Sequence, residues 1–167
     1  MILHAIVDRK LALNTAVDVI QVRDKQLPAR DLLELTMRAL SLAPKVVVNE
    51  RVDVALAAGA HGVHLRSHPI APREWRRIVP AGFLIGVSCH TLDDIREAEG
   101  ADYVYFSPIF ESPGHGPPVG LDALREAVRI APMPVIALGG ITWGNAPACI
   151  EAGAAGIAAI RLFQQPA

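Results

Sequence analysis

Three polar side chains alternate at the end of a short apolar run, in the sequence Gln21-Val-Arg23-Asp-Lys25. Every second residue of a β-strand points to the same side, so Gln21, Arg23 and Lys25 would share one face. Two cations that converge on the same space suit a phosphate or a pyrophosphate. A solvated charged loop is the alternative, but a glutamine inside an apolar strand is costly without a polar partner. The pattern therefore favours an anion-binding site.

A second candidate for anion binding is the pair Gly139-Gly140, which ends the apolar run 134–138. A helix-start pattern follows the glycines, and a further short apolar run, 156–160, follows that helix. Backbone N–H groups at such a turn can approach an anion closely, and the helix dipole favours negative charge. The alternative is a tight turn that needs glycine for its geometry alone. With the cations above, the pair predicts a phosphorylated small-molecule ligand.

Two residues are candidates for acid–base chemistry, Glu50 and His115. Glu50 follows an apolar run and could be a metal ligand, a general base, or the ion-pair partner of Arg51 or Arg23. His115 lies between two glycines in a loop rich in proline and glycine, 107–120. The pKa of a histidine lies near neutrality, which suits proton transfer. The alternative for His115 is an exposed side chain without a chemical role.

The elements that must position these residues alternate between short apolar runs and helical patterns. Most runs are continuous and rich in Val and Ile, as in strands that are buried on both faces. The predicted strands cover residues 2–7, 18–22, 45–49, 62–65, 83–88, 103–107, 134–138 and 156–160. The predicted helices cover residues 28–42, 52–58, 72–78, 92–99, 121–130 and 146–152. This alternation predicts an α/β protein with a closed (β/α)8 TIM barrel, whose active face lies at the carboxyl ends of the strands.

The predicted barrel is trimmed, because 167 residues are few for a fold that typically takes ~250. No convincing helix lies within residues 10–17, and only residues 161–167 follow the eighth strand. We therefore expect helices one and eight to be shortened or absent, which would leave one sector of the wall open. Exposed apolar strand faces favour association, so we expect a homodimer that covers this sector. The alternative is that these two short connections close the sector within one chain.

Composition indicates one domain over residues 1–167 that acts on a small molecule. The hydrophobic fraction of 51% and a mean hydropathy of +0.32 are sufficient for a sizeable core. A formal net charge of −1, the lack of a long basic run and an aromatic fraction of 5% argue against nucleic acid or a membrane surface as a partner. Two cysteines without metal-ligand spacing and no secretory signal point to the cytoplasm.

These features together resemble the thiamine phosphate synthase/TenI superfamily along nearly the whole chain. The matching segments are 6–9, 21–25, 48–56, 62–65, 85–91, 101–104, 108–110 and 134–141. Synthases of this superfamily join a pyrimidine pyrophosphate to a thiazole phosphate, with magnesium held by two aspartates. TenI-type members tautomerise the thiazole carboxylate phosphate without a metal. By this resemblance, the pyrimidine and pyrophosphate would lie against Gln21, Arg23, Lys25 and Asn49, Ser88 would face the pocket, and the thiazole phosphate would lie against Gly139, Gly140, Ile160 and Arg161.

Several positions depart from the pattern of the superfamily. Glu50 stands where the first metal aspartate is expected, and Pro69 stands where the second is expected. Arg66 replaces a glycine, and His115 falls at or near the lid lysine. The strand-six histidine of TenI-type members falls on Pro108. Magnesium prefers carboxylate and phosphate oxygens in octahedral geometry, so a proline in place of one carboxylate argues against an efficient synthase.

We therefore expect a TenI-like protein of thiamine biosynthesis that binds a small phosphorylated thiazole ligand. The first interpretation is a thiazole tautomerase, an isomerase without a metal or other cofactor, in which His115 or Glu50 acts as acid or base. His68 is a further candidate for that role. The second interpretation is a divergent synthase, a transferase that uses Glu50 and Mg²⁺. The third is a non-catalytic binding or regulatory protein that keeps the phosphate site.

Overall fold

The computed structural model describes residues 1–114 and 116–164. The strands are β1 Ile2–Val7, β2 Val19–Val22, β3 Lys45–Asn49, β4 Gly62–Leu65, β5 Leu84–Cys89, β6 Tyr103–Phe106, β7 Val135–Leu138 and β8 Gly156–Ala159. The helices are α1 Ala29–Ala39, α2 Val52–Ala58, α3 Pro72–Trp75, α4 Leu92–Glu97, α5 Gly120–Ile130 and α6 Ala146–Glu151. Across these described ranges, no helix is both long and apolar enough to cross a bilayer.

The eight strands form a closed parallel barrel in chain order, with β8 paired to β1. The predicted (β/α)8 TIM barrel is therefore confirmed, and most element bounds agree with the predicted bounds to within one or two residues. The exceptions are the ends of α1 and α3, which stop short of the predicted 28–42 and 72–78. Beyond α3 the chain continues in turns, because the Ile78 N–H donates to the carbonyl of Trp75 at 3.0 Å.

Side chains of each strand alternate between the outer and the inner face of the barrel. The outer positions are aliphatic and fully buried under the helices, as for Val46 and Val48 on β3 and Ile85 on β5. This layer is the main hydrophobic core, and it fixes which residues face inward. The inner positions include polar residues, so the same alternation delivers polar side chains to the barrel interior.

The start of α4 is fixed by a reciprocal pair of hydrogen bonds. The Asp94 N–H donates to Thr91 Oγ1 at 3.1 Å, and the Thr91 N–H donates to Asp94 Oδ2 at 3.0 Å. Each bond gives a partner to a backbone N–H that the first helical turn leaves unpaired. Thr91 is therefore the N-cap of this helix.

No helix lies between β1 and β2, and none follows β8 within the described residues, as predicted for a trimmed barrel. The two short connections, residues 8–18 and 160–164, pack against each other instead, and we call them the seam. Asn14 joins them, because its N–H donates to the carbonyl of Phe163 at 3.0 Å and its Nδ2 to that of Gln164 at 3.0 Å. Phe163 is fully buried against the core.

The seam covers the sector that the sequence suggested would be open. The outward side chains of the strands on either side are buried within one chain, with Ala5 at 0% and Ala159 at 6% exposure. The premise of the dimer prediction, an uncovered sector, is therefore wrong, and the alternative of closure within one chain holds. A homodimer through this sector loses its physical basis, while the oligomeric state itself stays a prediction.

Candidate functional site

A cavity of about 420 Å³ opens at the carboxyl ends of the strands. Every predicted site residue that the structure describes lines it: Gln21, Arg23, Lys25, Asn49, Glu50, Ser88, Gly139, Gly140, Ile160 and Arg161. His115, the other predicted catalytic residue, lies outside the described residues. The barrel thus brings together residues from β2, β3, β5, β7 and β8, and their catalytic or binding roles stay predictions.

One side of the cavity is a wall of three cations, Arg23, Lys25 and Arg66, which we call the cationic wall. Asp24 lies between the first two in the chain, but it pairs with Arg9, whose Nε lies 2.7 Å from Asp24 Oδ2. That guanidinium holds the pKa of Asp24 well below its usual range. No ion pair neutralises Arg23 or Lys25 among the residues described, so both charges remain available to an anion.

Glu50 is bound on both of its oxygens. Its Oε1 accepts from Arg66 Nε at 3.1 Å, and its Oε2 accepts a long hydrogen bond of 3.4 Å from Asn49 Nδ2. The sequence suggested Arg51 or Arg23 as partners, and both suggestions are wrong, because Arg51 pairs with Asp53 at 2.6 Å. The β3–β4 pairing explains the observed partner, since it places the ends of these two strands side by side.

Gln21 is buried within the cavity, with only 2% of its surface exposed. Its Nε2 donates to Asn49 Oδ1 at 3.0 Å, and this bond orients the amide. Its Oε1 is also buried and has no hydrogen-bond partner in the part of the chain that the structure describes. An unpaired buried acceptor costs roughly 1–3 kcal/mol, so this oxygen favours a ligand that donates an N–H or O–H.

The floor of the cavity rests on a buried chain of polar groups. Ser88 Oγ lies 2.9 Å from His64 Nε2, and His64 Nδ1 lies 3.1 Å from the hydroxyl of Tyr103. In the same cluster, the ring of Tyr105 stacks on that of His64 with the ring centroids 4.0 Å apart, and His4 Nδ1 lies 3.0 Å from the hydroxyl of Tyr105. Burial lowers the pKa of His64 to about 3 and that of His4 to about 4, so both imidazoles are neutral near pH 7.

The other side of the cavity is formed by Gly139, Gly140, Ile160 and Arg161, which we call the glycine wall. Gly139 and Gly140 adopt φ of 95° and 65°, a region that favours glycine. A Cβ on Gly140 would lie 2.5 Å from the carbonyl oxygen of Glu111, so the loop after β6 packs directly on this turn. Geometry alone therefore requires these glycines, and the same turn leaves bare backbone at the cavity.

Sequence reasoning missed several residues that line the cavity, among them His90 and Arg66. His90 Nδ1 lies 2.9 Å from the carbonyl of Ser107. Arg66 was noted only as a departure from a family pattern. His68, a candidate acid or base, does not line the cavity and instead contacts Glu97 at 3.3 Å. Arg66 and His90 each come directly after a strand, and this position alone would have indicated that they lie at the cavity.

Comparison with known proteins agrees with this fold and identifies a family. The sequence model of a family described as thiamine monophosphate synthase matches residues 3–163. Thiamine-phosphate synthase of Methanoculleus marisnigri is 45% identical over 160 residues, which cover 90% of this chain and 76% of that protein. The same-named protein of Methanocella arvoryzae is 42% identical over 158 residues, covering 89% and 74%.

A solved structure leads to the same family. The thiamine phosphate pyrophosphorylase of Pyrococcus furiosus superposes with a TM-score of 0.78 at 33% identity, and the match covers 95% of this chain and 85% of that one. The resemblance to the thiamine phosphate synthase/TenI superfamily is thereby confirmed. The chain belongs to the thiamine monophosphate synthase family.

Proposed function

We propose that this chain is a transferase that joins a pyrimidine pyrophosphate to a thiazole phosphate, releasing pyrophosphate. The observation that supports this best is a single cavity with two walls whose composition suits anions, one rich in cations and one of bare glycine backbone. The cationic wall follows β2 and β4, and the glycine wall follows β7 and β8, in different sectors of the barrel. A reaction between two phosphorylated molecules needs two such sites, whereas the isomerisation of one phosphorylated ring needs one.

The names of the relatives favour this reaction over the tautomerase that the sequence first suggested. A ring tautomerisation needs a base and an acid within hydrogen-bond reach of the substrate. Of the residues described, Glu50 is paired with Arg66, and His64 is neutral and buried below the floor. His68 lies outside the cavity lining. His90 lines the cavity, but its Nδ1 is bound to the carbonyl of Ser107, and no unpaired carboxylate among the described lining residues completes an acid–base pair with it.

In the proposed reaction, the bond between the pyrimidine-bearing carbon and the pyrophosphate oxygen breaks, and the oxygen keeps the electron pair. The thiazole ring nitrogen forms the new bond to that carbon with its lone pair. Negative charge therefore develops on the leaving group in the transition state. Arg23 and Lys25, which no carboxylate among the described residues neutralises, are placed to stabilise that charge. The glycine wall would hold the thiazole phosphate and thereby orient its ring toward the reacting carbon. Gln21 Oε1 can accept a hydrogen bond from the pyrimidine.

The resemblance also implies magnesium, but the donor set of this cavity does not fit a site built from two carboxylates. Glu50 is the one carboxylate among the described residues that line the cavity. Both of its oxygens are bound, one of them to a cation. Pro69, at the second expected position, offers no side-chain ligand. We therefore assign the compensation of pyrophosphate charge to side-chain cations.

The test is to incubate the purified chain with both phosphorylated substrates and to measure pyrophosphate release and the joined product. We expect turnover that falls roughly 10- to 100-fold in Arg23→Ala, the value for the loss of a charged hydrogen bond. Arg30→Ala removes an exposed cation of α1 that does not line the cavity, and it should leave turnover unchanged. Conversion of the thiazole carboxylate phosphate alone would instead support the tautomerase. Binding without any turnover would support the non-catalytic protein.

A further inference from the structure

We propose that Arg66 is a pyrophosphate-binding residue, and that it compensates charge in this cavity where the family pattern uses a metal ion. The inference rests on the proposed function, because that reaction is what places a pyrophosphate at the cationic wall. The structural basis is the pairing of Arg66 with Glu50, which stands at the position of the first expected metal ligand. A guanidinium therefore already occupies one carboxylate oxygen of the residue at that position.

The barrel fixes this pair in place at the mouth of the cavity. Asn49 of β3 lies beside His64 of β4 in the register, and the Glu50 N–H donates to the carbonyl of His64 at 2.9 Å. Glu50, which follows β3, and Arg66, which follows β4, are thus neighbours. Both Glu50 and Arg66 line the cavity together with Arg23 and Lys25.

The guanidinium of Arg66 has donors left for a ligand. It carries five N–H groups, and the structure records one contact, from Nε to Glu50 Oε1 at 3.1 Å. The Nη groups form the planar fork that suits bidentate binding of phosphate oxygens. The side chain is 79% exposed, so it can reach a ligand without losing packing.

In this arrangement Glu50 is the counter-ion of Arg66, which differs from a metal ligand or a general base. Charge arithmetic supports the assignment. Arg23, Lys25 and Arg66 contribute three positive charges to the cationic wall against one negative charge from Glu50. The net charge of +2 (three minus one) among these residues favours a multiply charged anion such as pyrophosphate.

An ordinary surface ion pair is the alternative, since exposed pairs contribute little. The chain offers a matched comparison in Arg77, which is 77% exposed and pairs with Glu74 at 3.1 Å but does not line the cavity. Arg77→Ala removes the same charge from the same kind of pair. If Arg66 acts only as a surface residue, Arg66→Ala and Arg77→Ala should behave alike.

The experiment is isothermal titration of inorganic pyrophosphate into the purified chain, with excess EDTA and separately with excess magnesium chloride. We expect binding in EDTA, weakened roughly 10- to 100-fold by Arg66→Ala and unchanged by Arg77→Ala. Arg66→Lys should recover part of the affinity, because it restores the charge without the planar fork. Glu50→Gln should strengthen binding in EDTA by up to about fivefold, because it removes a negative charge from the wall.

Two results would overturn the proposal. One is pyrophosphate binding that appears only with magnesium and is lost in Glu50→Gln, which would make Glu50 a metal ligand. The other is equal binding by the wild type and Arg66→Ala, with circular dichroism confirming that both are folded. Calorimetry needs no turnover, so its outcome is separate from the synthase assay: absent turnover would refute the proposed function, and Arg66-independent binding would refute this inference.

Discussion

Acidification from pH 7 to about pH 5 should destabilise this barrel strongly, because two histidines are buried in its interior. Burial lowers the pKa of His4 to about 4 and that of His64 to about 3, from an ordinary value of 6.5. At a pH between the folded-state pKa values and 6.5, the unfolded chain binds protons that the folded chain does not. Stability therefore falls as the pH falls below about 6.5, and the loss continues toward the folded-state pKa values.

The magnitude follows from the distance of the pH from the unfolded pKa. One pKa unit corresponds to about 1.36 kcal/mol. At pH 5 the pH is about 1.5 units below the pKa of each imidazole in the unfolded chain. Each histidine therefore lowers the free energy of unfolding by roughly 2 kcal/mol, and the pair lowers it by roughly 4 kcal/mol. Domains of this size are stable by about 5–15 kcal/mol, so the loss is a large share of the total.

Urea denaturation at a series of pH values between 7 and 5 measures this loss directly. The window lies above the range that affects the carboxylates with lowered pKa, Asp24, Asp53 and Glu126. Their contributions are lost only as the pH falls below their ordinary pKa values of 3.8 for Asp and 4.5 for Glu. His61, whose pKa burial also lowers, adds to the same trend. His64→Gln should reduce the pH-dependent loss by about half. A free energy of unfolding that stays constant from pH 7 to pH 5 would refute the reasoning.

Three further substitutions, the first with a matched control, test the packing and the helix cap. Gly86→Ala would place a Cβ 2.2 Å from the ring of Tyr103, so we expect a loss of about 1–3 kcal/mol in urea denaturation, whereas Gly144→Ala, with its nearest neighbour at 3.7 Å, should be close to neutral. Gly140→Ala combines φ of 65° with the close Glu111 carbonyl; it should cost at least about 1–2 kcal/mol and weaken thiazole phosphate binding in calorimetry. Thr91→Ala should cost about 1 kcal/mol by loss of the helix cap, and a neutral result in thermal denaturation would contradict the capping role.

Much of the barrel could be predicted because each strand has a local signature. The continuous Val/Ile runs gave strand positions, and the short spacings between them showed where helices are missing. The closure of the wall could not be predicted in the same way, because Asn14 and Phe163 are far apart in the chain. Contacts of that range depend on the completed barrel and leave no periodic pattern in the sequence.

The candidate site was predictable where a residue type was unusual for its surroundings. Gln21 within an apolar strand and the paired glycines after β7 both line the cavity. The interior histidines and tyrosines were missed, although His4 and His64 also interrupt apolar strands. The signal that would have found them is a histidine or tyrosine within an otherwise apolar strand, repeated on β1, β4 and β6. The partner of Glu50 depends on the β3–β4 register, which the sequence does not encode locally.

The seam has a consequence for how ligand binding and folding are coupled. Ile160 and Arg161, which form part of the glycine wall, lie on the same short segment that Asn14 ties to the connection after β1. That wall exists only while β8 is closed on β1. An anion that binds to this wall stabilises the closed barrel relative to any form in which this segment has detached. The stabilising free energy grows with the ratio of the anion concentration to the Kd. Hydrogen exchange of the β1 and β8 amides should therefore slow when a phosphate ligand is added, because the bound ligand stabilises the pairing that closes the barrel.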